Sequence, residues 1–176
     1  MKNLRNGWVL GVLTLTAIVA FEAPAWPQDR VSGVLTRTYV IVEDTDLVGD
    51  VTCDVTNSPC FSFGASAVEL RLNGFTITGK ADAVTACGGA VFAPEAGIAI
   101  SGRSNVGVRG PGLVQRFRSF GVIVTGSRDV RIQAITASTN CASGIFVGST
   151  SFGTLVEGNV AVRNGSAAAG FFCGGI

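Results

Sequence analysis

A fixed period constrains this chain more than any single residue does. Gly97-Ile98-Ala99-Ile100-Ser101-Gly102 returns as Gly121-Val122-Ile123-Val124-Thr125-Gly126, then as Gly144-Ile145-Phe146-Val147, and a fourth time as Gly170-Phe171-Phe172-Cys173, in steps of 24, 23 and 26 residues. A second set keeps a stricter register. Val106-Gly107-Val108, Val130-Arg131-Ile132 and Thr154-Leu155-Val156 lie 24 apart, and Val68-Glu69-Leu70 stands 38 residues before Val106. The excess of 14 marks an insertion within residues 79–96. Self-similarity at such a period belongs to stacked supersecondary units, none of which buries its apolar face alone.

The unit reads as short strands. Pairs such as Val130/Ile132 alternate with polar residues at period 2, and β-branched residues favour strands. Gly and Asn between the runs suit tight bends that need φ > 0. Identical coils stacked about 4.8 Å apart form one continuous core, and successive coils of one chain run the same way, so the strands pair in parallel. A helical repeat is excluded because no window is rich in Leu, Ala, Glu and Lys. Composition agrees: among 176 residues there are 24 glycines, and only 14% are charged, about half the usual share.

The coils resemble right-handed parallel β-helix proteins of the pectin-lyase-like group. Val68-Glu69-Leu70-Arg71-Leu72-Asn73-Gly74-Phe75-Thr76-Ile77 is similar to the V-x-L-D-L-N-G-x-T-I coil of exported β-helix repeat proteins, with Arg71 where that coil has Asp. Gly49-Asp50-Val51-Thr52-Cys53 resembles the periplasmic copper-accessory branch. The likeness covers residues 40–176. It implies an all-β, right-handed parallel β-helix solenoid of about six coils, roughly 24 residues each.

Residues 1–25 read as a secretory signal peptide: Lys2 and Arg5, an uncharged apolar run from Gly7 to Phe21, then Ala23-Pro24-Ala25 at a cleavage site. The run is shorter than the ~20 residues of a membrane span. Cleavage takes two of the 13 basic residues and one of the 12 acids, leaving a neutral chain with no basic cluster for nucleic acid or anionic lipid. Secretion or periplasmic export is therefore expected, with no membrane attachment after cleavage. The remaining organisation is a cap region over residues 26–60 and repeats over 61–176. The five cysteines become disulfide candidates in that compartment. Cys53 and Cys60 bracket a loop of turn residues and are expected to pair; Cys87, Cys141 and Cys173 have no assignable pairing.

Chemistry must come from the outer face of the coils. With Val68/Leu70, Val106/Val108 and Val130/Ile132 inward, one outward row is Glu69, Gly107, Arg131, Leu155, and the next is Arg71, Arg109, Gln133, Glu157. Arg71 and Arg109, with Glu157 two coils away, are the candidate catalytic or uronate-clamping residues, although a solvated mixed-charge face explains them more simply. Asp44, Asp46 and Asp50 offer oxygen ligands for a weak Ca²⁺ site, and a polar loop explains them equally well. Absences weigh against an enzyme. No histidine is present, which removes Ser-His-Asp and Cys-His catalysis and the Gly-His-Gly motif of polygalacturonase-like relatives. No outward row holds two aligned carboxylates for glycoside hydrolysis. Copper handling lacks its His and Met ligands.

Three further features carry expectations. Asn140 and Asn164, 24 apart, suit an amide ladder between coils, and Asn105 and Asp129 occupy a second corner as ladder or isolated turn residues. The row Ala99, Ile123, Phe146, Phe172 is apolar and is expected to lie under the insertion from Ala81 to Ala96. The last repeat stops at Ile176 without a polar cap, which suggests either a fragment or end-to-end self-association. Gly110-Pro111-Gly112, Arg116-Phe117-Arg118 and the Asn164-Gly165-Ser166 sequon are weak matches to dinucleotide, nucleic-acid and glycosylation signals. The reading is an exported, non-catalytic scaffold or carbohydrate-binding module, with a polysaccharide lyase, hydrolase or epimerase acting on uronate glycans as the alternative.

Overall fold

The computed structural model describes residues 28–80, 87, 94–165 and 175–176. The expected signal segment, Phe172, Cys173 and nearly all of the insertion lie outside them, so the covering of the apolar row does too. The described residues form strands and no helix: β1 (Asp29–Leu35), β2 (Tyr39–Ile41), β3 (Thr45–Cys53), β4 (Phe61–Phe63), β5 (Glu69–Arg71), β6 (Thr76–Thr78) and β7 (Ile98–Ser101), followed by β8 (Gly107–Gln115), β9 (Val122–Thr125), β10 (Arg131–Ser138), β11 (Ile145–Val147), β12 (Leu155–Glu157) and β13 (Val160–Val162).

The strands form two sheets, and every pairing between them is parallel. The first runs β1-β3-β5-β8-β10-β12, with β6 against β3 and β8 and β13 against β10; the second runs β11-β9-β7-β4-β2. The chain passes alternately from one sheet to the other, as a β-solenoid does. Register follows the sequence period. Glu69, Gly107, Arg131 and Leu155 are aligned neighbours, and so are Arg71, Arg109, Gln133 and Glu157. The insertion falls between β6 and β7 without disturbing the pairing: Glu69 still meets Gly107, and Ser62 meets Ala99. The strands of residues 29–63 pair into the same two sheets.

Alternation decides what is buried. Leu70, Val108 and Ile132 stack inward from the first sheet, and Phe61, Ile98, Val122 and Ile145 from the second, all at 1% exposure or less. Each such aliphatic side chain contributes about 1.5–3 kcal/mol through burial. Among the described residues no helix is long and apolar enough to cross a membrane.

The corners are held by side chains and covalent bonds. Cys53 and Cys60 form the expected disulfide at the turn between β3 and β4, with Cα atoms 5.7 Å apart. A second disulfide joins Cys87, inside the insertion, to Cys141 at the turn between β10 and β11. The amide ladder is present. Asn140 Nδ2 donates to Asn164 Oδ1 at 2.9 Å and to the Val114 carbonyl at 3.3 Å, while Asn140 Oδ1 accepts from the Phe117 N–H at 3.1 Å. Asn164 Nδ2 donates to the Ala137 carbonyl, which gives it a structural role, and Ser166 of its sequon lies outside the described residues. Asn105 and Asp129 form no ladder. They are turn residues in the left-handed region, with φ of 54° and 52°.

Candidate functional site

The outer face of the first sheet carries the candidate residues, and the structure sorts them. Arg71, on β5, is held by three carboxylates: Nη2 lies 2.6 Å from Asp44 Oδ2, Nε 2.8 Å from Glu69 Oε2 and Nη1 3.4 Å from Asp46 Oδ1. Parallel register places Asp46 directly beside Arg71, and Asn73 adds an amide hydrogen bond to Asp46. Burial pulls the Arg71 pKa down, but hydrogen bonds and attraction from Asp44 and Glu69 outweigh it, so the guanidinium sits above its already high ordinary value. A guanidinium committed to three carboxylates is not available as a uronate clamp.

The proposed trio does not converge. Arg109 is the aligned neighbour of Arg71, but Glu157 lies two strands beyond it, about 9.6 Å at the usual strand spacing, and accepts a 3.0 Å hydrogen bond from Gln133. The calcium candidates do not converge either. The place a cation would take between Asp44 and Asp46 is filled by the Arg71 guanidinium, and Asp50 accepts from the Thr76 N–H at 2.8 Å on the far half of β3. Among the described residues no group of three or more His, Cys, Asp or Glu is arranged to hold a metal ion.

A different set does come together. A cleft of about 290 Å³ opens between the first outward row and the corner preceding it, lined by Asp44, Ala67, Val68, Glu69, Asn105, Val106, Gly107, Asp129 and Arg131. Its floor is Gly107, the position in the Glu69-Gly107-Arg131 row that has no side chain. Glu69 is held by Arg71 through Oε2, and its Oε1 lies over Gly107, 3.1 Å from where a Cβ would stand. Both Asp44 oxygens are engaged, one by Arg71 and one by the Glu69 N–H. Among the described residues the side chains of Asn105, Asp129 and Arg131 have no hydrogen-bond or ion-pair partner. The cleft thus presents one guanidinium, one carboxylate, one amide and half of a second carboxylate, beside an apolar wall of Ala67 and Val68.

Reading rows one at a time missed this site. Glu69, Gly107 and Arg131 belong to one row, Asn105 and Asp129 to the corner row, and only the intersection of the two makes a cleft. The signal available in the sequence was the glycine that stands between Glu69 and Arg131 in that row.

The weak motifs resolve into structure. Gly110-Pro111-Gly112 lies inside β8, with no helix after it. Phe117 is a core residue, and Arg118 pairs at 3.4 Å with Glu95, a buried carboxylate that also accepts from the Asn57 N–H. In the second sheet Ala99, Ile123 and Phe146 are aligned and half-buried, with the Phe120 ring 4.9 Å from that of Phe146. No family model, curated protein or solved structure matches this chain.

Proposed function

We propose that this chain is an exported right-handed parallel β-helix of about six coils, of the pectin-lyase-like kind, that works as a non-catalytic carbohydrate-binding module. Right-handed crossovers are the strong default between parallel strands of one sheet. The two disulfides fit an oxidising compartment. The observation that carries the binding reading is the cleft itself: unpartnered planar polar side chains at Asn105, Asp129 and Arg131 stand beside an apolar wall on a rigid sheet. Such a lining suits a ligand that is hydroxyl-rich at its edge and apolar on its C–H face. Isothermal titration of the full chain against a panel of oligosaccharides tests it. Binding that Arg131→Gln weakens about tenfold or more is expected; an absence of binding by every glycan sinks the reading.

One observation favours a catalytic alternative, a hydrolase, lyase or epimerase: Glu69 and Asp129 line the same cleft, although they belong to different rows. Release of reducing or unsaturated ends from glycans, abolished by Glu69→Gln, would establish it.

A further inference from the structure

The charges around the cleft are unbalanced, and the imbalance selects a ligand. Four carboxylates, from Asp44, Asp46, Glu69 and Asp129, stand against three guanidiniums, from Arg71, Arg131 and Arg109, the aligned neighbour of Arg71 on the same outer face. Arg71 sits behind the lining and is consumed by three of the four. The groups that face the cleft uncommitted are Glu69 Oε1, the Asp129 carboxylate, the Asn105 amide and Arg131. Building on the carbohydrate reading above, we propose that the cleft binds an uncharged glycan and discriminates against uronate, with Gly107 as the residue that sets the subsite.

The physical reasoning is direct. A sugar hydroxyl both donates and accepts, so a pair of neighbouring hydroxyls satisfies a carboxylate on one side and a guanidinium or amide on the other. Glu69 Oε1 and Asp129 accept, while Arg131 and Asn105 donate. The C–H face of the ring lies on Ala67 and Val68. A uronate carboxylate in the same place would gain Arg131 but face Asp129 and Glu69, and specificity follows as much from that repulsion as from any attraction. Because position 107 has no side chain, Glu69 folds over it, with Oε1 and Cγ 3.1 and 3.2 Å from where a Cβ would stand, and presents Oε1 to the ring. The backbone there is not in the left-handed region, and a Cβ would meet first the flexible end of Glu69, so a larger residue can be accommodated by the strand while filling the cleft.

Titration of the full chain with uncharged hexose oligosaccharides and with oligogalacturonate of equal length, at low salt, tests the proposal. The uncharged ligand is expected to bind, and the uronate to bind about tenfold or more weakly. Gly107→Leu is expected to abolish binding of the uncharged ligand while the circular dichroism spectrum is retained. Asp129→Asn keeps side-chain shape and tolerates positive φ, so it serves as the second variant; it is expected to narrow the preference by raising uronate affinity several-fold. Oligogalacturonate bound as tightly as the uncharged ligand or more so, or a preference unmoved by Asp129→Asn, overturns this inference and leaves the carbohydrate reading standing. Failure of every glycan to bind overturns both.

Discussion

At the scale of single residues, the glycines divide into two kinds that look alike in the sequence. Gly97, Gly121 and Gly144 repeat because the coils approach too closely for a side chain. A Cβ at Gly121 would stand 2.6 Å from the Gly144 carbonyl oxygen and 2.8 Å from Asn140 Nδ2. Left-handed corner positions, which favour glycine, are instead filled by Ala67, Asn105 and Asp129 before Gly153 takes its turn. Gly121→Ala is therefore expected to destabilise by about 2–4 kcal/mol in urea unfolding. Gly102→Ala, with φ of 62° but open space around it, should cost only about 1 kcal/mol. Arg71 makes a second residue-scale case. Arg71→Gln leaves Asp44, Asp46 and Glu69 without their shared cation, and roughly 1 kcal/mol of stability should be lost, less at high salt. The folded-state pKa of Arg71 is raised, so its contribution is fully present below the ordinary arginine range and is lost only above it. The difference in melting temperature between wild type and Arg71→Gln should accordingly stay level from neutral pH to about pH 10.

At the scale of elements, three- and four-residue strands persist because ladders carry what each strand is too short to supply. Asn140 is buried and joins three neighbours at once: Asn164, the Val114 carbonyl and the Phe117 N–H. Asn140→Ala leaves buried partners without hydrogen bonds and is expected to cost about 1–3 kcal/mol, read as a lowered urea midpoint at unchanged m-value. The 24-residue spacing put this ladder among the readings open before any coordinates. The Arg71 network was not legible in the same way. Asp44 and Asp46 precede the regular repeats, and only the pairing of β3 with β5 puts Asp46 beside Arg71. An acid run that suggests cation binding turned out to have its cation within the chain.

At the scale of the whole molecule, the two disulfides act over different lengths. Cys53–Cys60 closes a separation of 7 residues and Cys87–Cys141 one of 54. In the chain-entropy view the longer loop gives the larger stabilisation, about 4 kcal/mol against about 2.5 kcal/mol. Cys141→Ala should therefore lower the melting temperature more than Cys60→Ala, and reducing agent should abolish the difference between the two variants. An equal loss from both would show that local strain or packing, and not loop length, sets their worth.

The sequence by itself determined the architecture. A 24-residue period with two-residue alternation leaves no other way to bury Val, Ile and Leu, so the parallel sheets, their register and the inward rows follow from spacing. Asn140 and Asn164 stayed open between ladder and isolated turn residues until their hydrogen bond joined them. Tertiary structure decided the site. Register says which residues stand side by side along a row, but a cleft depends on how two rows meet at a corner and on which charges cancel inside it. Those are properties of positions 25 to 62 residues apart, from Asp44 with Glu69 to Glu69 with Arg131. Arg71 was open to two readings, a uronate clamp or part of a solvated mixed-charge face, until its three carboxylates were in view. Gly107 stood in an outward row as one position among four until the corner beside it made that position part of a cleft.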